Sequence, residues 1–165
     1  MTALSLSLRA VWFLGESMST LTEKYEQIKE YCGKIEEADY NFYKLYAPVS
    51  AQAVDKWETD NGAKLPEDYK SFLMLSNGFE MGSAAEIYPL ERISPCTFPD
   101  YEGYFFVGEF IGDGSMLVCD RAGSFFKLDH VYGLEETAFE EFLDDWIISR
   151  LEDDLLEISK MNKDE

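Results

Sequence analysis

Two turn signals cut the middle of this chain into short pieces, and they constrain its fold more than any other feature. Asp113-Gly114 and Arg121-Ala122-Gly123 divide the stretch from Tyr104 to His130 into three runs, Tyr104–Ile111, Met116–Asp120 and Phe125–His130. The runs are rich in aromatic and branched residues, which suit a pleated, half-buried surface. Each turn carries a Gly able to take positive φ, as a tight hairpin demands. The stretch is expected to fold as an antiparallel meander. A further strand is expected at Glu86–Leu90, followed by an irregular connection marked by Pro95, Pro99 and Gly103.

Helical spacing brackets the meander. Tyr25, Ile28, Cys32 and Ile35 form an apolar stripe on a helix expected from Leu21 to Asp39. Pro48 and Ser50 open a second helix, with Ser50 as N-cap, Val54 and Trp57 on its apolar face, and Asn61-Gly62 as its stop. A third begins at Leu65-Pro66-Glu67-Asp68-Tyr69. Pro66 suits the first helical position, and Glu67 and Asp68 complement the positive end of the helix dipole. Tyr69, Phe72, Leu73 and Leu75 are its buried side, and Asn77-Gly78 is its end. The last helix opens on Thr137-Ala138-Phe139-Glu140, read as a capping box. Phe139, Phe142, Leu143, Trp146, Ile147 and Leu151 then form the stripe that packs on the sheet. Helices, then strands, then a helix give an α+β class rather than alternating βαβ units.

A chain of 165 residues, 46% of them hydrophobic, supports one domain with a proper core. That domain is expected over residues 18–157, with 158–165 as a frayed tail. The opening residues 1–17 are read as a leader or a mis-assigned start. They lack a basic beginning and a convincing cleavage site, and Met18 begins a more ordinary opening. Three Cys, at 32, 96 and 119, have no C-x-x-C spacing and point to reduced thiols in a cytoplasm. No run of 18 apolar residues occurs, so no membrane span is expected.

The net charge is −19. Such a field repels phosphate backbones and anionic lipid and attracts cationic partners. Nucleic acid and membrane are therefore not expected as partners. The excess sits in two stretches: 12 acids against 3 basic residues from Glu135 to Glu165, and 7 against 1 from Glu80 to Asp113.

Catalytic chemistry finds no constellation. His130 is the single His; Asp129 beside it points to the opposite strand face, and a Cys119–His130 pair lacks a third group to orient it. Asp113, Asp120 and Asp129 do not form the D-x-D-x-D-G loop of a calcium site. Gly112-x-Gly114 lacks the Lys and the strand–loop–helix setting of a phosphate cradle. No catalytic residue, metal ligand or cofactor is expected. The surface offered to a partner is expected to include Glu86, Glu91, Glu109, Asp113, Asp120 and Asp129, with Tyr88 as an aromatic anchor and Tyr101 and Tyr104 as further candidates.

The run Leu65-Pro66-Glu67-Asp68-Tyr69-Lys70-Ser71-Phe72-Leu73-Met74-Leu75-Ser76-Asn77-Gly78 resembles the LPxDYxxFLxxxNG signature of the SUKH superfamily. That group holds the yeast cell-wall-assembly regulator, bacterial Syd and many bacterial immunity proteins. Ser50–Trp57 resembles its preceding helix, Ile87-Tyr88-Pro89-Leu90 its IYPL strand end, Val107–Asp120 its hairpin containing Gly114, and Ala138–Leu151 its closing FxxFLxxWI helix with Trp146. The resemblance covers residues 48–151. It implies a bent, largely antiparallel sheet of about four to six strands, flanked by N-terminal helices and a long C-terminal helix. Trp57, Leu65, Pro66, Tyr69, Phe72, Asn77, Gly78, Gly114 and Trp146 are then structural. It also implies protein binding without catalysis, by a monomer whose partner is a cognate protein toxin with a basic surface. A regulatory or scaffolding role of the cell-wall-regulator kind is the alternative.

Overall fold

The computed structural model describes residues 3–82 and 84–163. Helix α1 (Ala3–Glu37) leads to strand β1 (Tyr43–Leu45), helices α2 (Ala51–Asn61) and α3 (Glu67–Leu73), and strands β2 (Phe79–Met81) and β3 (Ala85–Ile87). A 3-10 turn at Leu90–Arg92 precedes β4 (Ser94–Pro95), β5 (Phe105–Phe110), β6 (Met116–Cys119), β7 (Phe125–Asp129) and β8 (Gly133–Glu136). Helix α4 (Phe139–Phe142), a π-helical stretch Leu143–Ile148 and α5 (Ser149–Met161) close the described chain. The sheet runs β1-β2-β3-β5-β6-β7-β8 with β4 also beside β5, and every pair is antiparallel.

The α+β class stands, but among the described residues the sheet has eight strands rather than four to six. The four unforeseen strands, β1, β2, β4 and β8, have two to four residues each. Runs that short carry no readable alternation. The strand expected to reach Leu90 stops at Ile87, because Leu90 starts the 3-10 turn. Helix α1 begins at Ala3 rather than near Leu21. Of the terminal segments expected outside the domain, residues 1–2 and 164–165 lie outside the described residues.

Local capping signals mostly hold. Ser50 Oγ accepts the Ala53 N–H at 3.2 Å, and Gly62 closes α2 at φ 58°. Pro66 sits one position earlier than expected, as N-cap of α3, and that helix ends at Leu73, before Asn77-Gly78. The last helix also starts one residue late. Thr137 N–H is drawn to Phe125 O at 3.1 Å, which extends the sheet ladder and passes the cap to Ala138. Glu141, not Glu140, then reaches back to the Ala138 N–H at 3.5 Å. Ala has no side-chain acceptor, so only this half of a capping box forms.

The helices pack on one face of the sheet. Leu21, Ile28 and Ile35 of α1, spaced by seven, join Tyr69 and Phe72 of α3, Phe139 and Leu143 near the C-terminus, and Phe79, Ile87, Phe105 and Leu117 of the sheet. Each such side chain removed from water contributes roughly 1.5–3 kcal/mol. Phe139 meets the rings of Tyr69, Phe72 and Phe125, each with centroids 5.5 Å away. Trp57 is half-buried, edge-on to Phe105 at 5.2 Å. Glu58 of α2 is buried and holds Leu65 N–H at 3.0 Å, Lys64 at 2.9 Å and Lys70 at 3.4 Å. It fixes the α2–α3 corner around the signature Leu65-Pro66.

Trp146 departs from the expected buried stripe and is 46% exposed. The π-helical stretch adds residues per turn, so the 3-and-4 spacing drifts past it. Leu143, Ile147 and Leu151 stay in the core, while Trp146 lies at its margin against Phe110 at 4.6 Å.

Among the described residues the other sheet face carries no α-helix. It is partly covered by the 94–104 connection over a second cluster: Tyr88, Phe106, Val118 and Leu128. Tyr104 packs on Phe126 at 5.7 Å, and Phe98 on Phe106 at 5.4 Å.

Candidate functional site

The site begins with an irregularity. β5 pairs with β6 as Phe106↔Val118 and then Gly108↔Leu117, so Val107 is an extra residue in a β-bulge. Without it, strict alternation would turn Glu109 toward the core and Phe110 outward. The bulge reverses both: Phe110 is buried under Phe142 and Trp146, and Glu109 faces the helix-free side. Gly108 is required here, since a Cβ would lie 2.5 Å from Glu86 O and 2.8 Å from a Leu117 methyl.

Register then lines up acids. Directly opposed residues share a face, and the pairings Lys44↔Glu80, Glu80↔Glu86 and Glu86↔Glu109 make one row across β1, β2, β3 and β5. Arg92, from the 3-10 turn, bonds Glu86 and reaches Glu109 at 3.5 Å. Tyr46 donates its hydroxyl to Glu80, and Lys44 lies over the Tyr46 ring at 4.6 Å. Burial, opposed by Arg92 and assisted by Glu109 and Glu80, leaves the Glu86 carboxyl above its ordinary pKa. Burial and then the Glu80 carboxylate push the Tyr46 phenol up to about 12. Beyond Glu109 the same row turns apolar: Met116, Leu128 and Leu134.

The residues expected at a partner surface therefore divide. Glu86 and Glu109 come together, joined by Glu80, which sequence reading missed. Tyr88 is corrected: it is buried at 7% exposure, with the Arg92 guanidinium over its ring at 4.1 Å. Its ring is a pillar of the second cluster rather than an exposed anchor. Tyr101 and Tyr104 likewise pack on that cluster. Glu91 is exposed and accepts from Asn77 Nδ2 at 3.0 Å, while Asn77 Oδ1 takes the Leu90 N–H at 2.8 Å. Asn77 thus ties the 3-10 turn in place. Gly78 beside it, at φ 98°, leaves room where a Cβ would meet Ile87 O at 2.8 Å.

The three aspartates are turn formers. Asp113 accepts the Ser115 N–H at 2.7 Å, with Gly114 at φ 77° between them. Asp120 accepts the Ala122 and Ser124 N–H groups at 2.9 Å, at the opposite end of the sheet. Asp129 accepts from Val131 N–H at 2.7 Å, Tyr132 N–H at 2.9 Å and the Ser115 hydroxyl at 3.3 Å. The Tyr132 and Val131 N–H groups hold its pKa below the ordinary aspartate value.

That last turn presents what the sequence did not advertise: Tyr132 is 90% exposed and Val131 67%. A local signal existed in Asp129-His130-Val131-Tyr132-Gly133, whose Asp and Gly mark a turn with Val and Tyr at its tip. Nearby, a groove of about 230 Å³ between sheet and C-terminal helix is lined by Phe110, Lys127, Glu135, Phe142, Asp145 and Trp146. Lys127 lies over the Phe110 and Trp146 rings at 4.8 and 5.0 Å, with Asp113 4.0 Å away.

Among the described residues no group of His, Cys, Asp or Glu could hold a metal ion, and no helix is long and apolar enough to cross a membrane.

Comparison with known proteins adds to this geometry. Residues 48–161 match the family model described as the SMI1 / KNR4 family (SUKH-1). The chain is also 37% identical over 78 residues to a Bacillus subtilis (strain 168) protein named "Uncharacterized protein YnaB". That match takes in 45% of this chain and 51% of the relative, so the chain spans about half the length of the curated relative it matches.

Proposed function

We propose, from the premise that this chain belongs to the SMI1 / KNR4 family (SUKH-1), that it is a non-catalytic immunity protein. It neutralises a cognate polymorphic toxin of the nuclease or deaminase class by covering a basic surface. The observation that carries this reading is the in-register row Glu80, Glu86 and Glu109 on the helix-free sheet face. Arg92 reaches both of the last two. Carboxylates so arranged speed encounter with a cationic protein and select against anionic ones. The binding domain in this reading is residues 18–157, a cytoplasmic monomer.

The test is co-expression with the toxin domain encoded beside this gene. Cells survive with the wild-type chain, and survival falls when Glu86 and Glu109 are both reversed to Lys. Death at the same rate with and without the chain removes the toxin reading. The regulatory alternative then gains if a host signalling protein binds the same row.

A further inference from the structure

Exposed apolar side chains gather at one end of the sheet. The β5–β6 and β7–β8 turns lie side by side there, since Met116 pairs with Leu128 and Ser115 bonds Asp129. They carry Ile111, Val131 and Tyr132, exposed at 44%, 67% and 90%. Hydrogen bonds tie the backbone of both turns. Asp129 takes both N–H groups of the β7–β8 tip, and Ile111 N–H is held by Ala84 O at 2.9 Å. An aromatic presented on a fixed backbone loses little entropy when it docks, as an interface anchor requires.

The acidic row runs just behind this rim. Glu86 is the second residue of β3 and Glu109 the penultimate residue of β5, one step from the turns at that end. Along the row, carboxylates at β2, β3 and β5 give way to the second cluster at β6, β7 and β8, where Leu128 is buried and Met116 and Leu134 are half-buried, and the two turns beside it carry the exposed Ile111, Val131 and Tyr132. Lys127, the cation beneath the rim, is drawn over Phe110 and Trp146. We infer that the rim formed by Ile111, Val131 and Tyr132 is the apolar anchor of the binding surface. Its occupant is a protein surface in which an apolar recess adjoins Lys or Arg side chains. This deepens the binding reading above and rests on it. A second copy of the chain is a poor occupant, because it would set a charge of −19 against −19.

A random-peptide phage library selected on the immobilised wild-type chain tests this. The recovered peptides should combine Lys or Arg with a large apolar residue. Their affinity should fall about tenfold or more on Val131→Ser with Tyr132→Ser, and also on Glu86→Gln with Glu109→Gln. Peptides without basic residues, or binding indifferent to the Val131 and Tyr132 changes, would overturn the inference. So would a wild-type dimer in sedimentation that Tyr132→Ser dissociates. The co-expression test separates the two readings. Rim-dependent basic peptides without toxin rescue leave the rim standing and remove the toxin. Toxin rescue undiminished by the rim changes removes the rim and leaves the toxin.

Discussion

Glu86 lies directly opposite Glu109 in the β3–β5 ladder, and the single Arg92 side chain spans both carboxylates. Like charges facing each other across a ladder are destabilising, so Arg92 acts chiefly as the spacer that allows the pair to exist. Arg92→Ala should cost about 1 kcal/mol, since all three groups keep contact with water. Glu109→Gln in that background should recover most of it. A double-mutant cycle by urea unfolding checks both values. Additive losses would mean that the two acids do not repel through this contact.

The glycines at 78, 108 and 112 should separate steric need from backbone need. A Cβ at Gly78 would meet Ile87 O at 2.8 Å and one at Gly108 Glu86 O at 2.5 Å, backbone atoms that cannot turn aside. Gly78→Ala and Gly108→Ala should each cost more than about 2 kcal/mol. Gly112, at φ 111°, has open space around it, so Gly112→Ala should cost about 1 kcal/mol from backbone strain alone. Thermal unfolding of the three variants ranks them.

Two buried-side carboxylates should respond to pH with opposite sign. Burial alone would raise Glu58, but Lys64, Leu65 N–H and Lys70 outweigh it and leave its pKa lowered. Its stabilisation is present above the unfolded carboxyl value, about 4.3, and is lost as pH falls through the folded value. Glu86 is raised, by burial first. Its contribution is present below the unfolded value and is lost as pH rises through the folded one. Glu58→Gln should therefore lose stability at neutral pH, with the gap closing on acidification. Glu86→Gln should hold or gain stability at neutral pH. Urea unfolding at neutral and acid pH reads both.

The thiols of Cys32 and Cys119 should be inert in the native chain. Burial pushes each up to about 12, with Glu36 adding to the first and Asp120 to the second. Thiolate, not thiol, reacts with alkylating agents. Iodoacetamide labelling followed by peptide mass spectrometry should leave both unmodified at mild pH and label them fully in urea.

The amino-acid order by itself determined what is settled within a few residues. The Ser50 cap, the Gly62 stop, the acidic first turn of α3, the heptad stripe on α1 and the Asp113-Gly114 turn all depend on groups within seven positions of one another. Those groups meet wherever the local backbone folds, so the α+β class was readable before any contact was known. Asn77 and Gly78, expected at the helix end, serve the Leu90 turn instead.

Only the tertiary structure decided which side each residue faces. A strand of period two sends its side chains to one face or the other according to a register set by distant partners. The bulge at Val107 switches Glu109 outward to join Glu86 and Glu80; Gly108 marks an irregularity in the strand, but not the register it produces. Tyr88 sinks into a cluster completed by the distant Phe106, Val118 and Leu128, with Arg92 over its ring, and Trp146 turns toward the surface with the π-helical stretch, against the distant Phe110. Carboxylates were countable from the residues; their alignment into a surface came from pairings between strands, the longest in the row joining Lys44 to Glu80 across 36 positions.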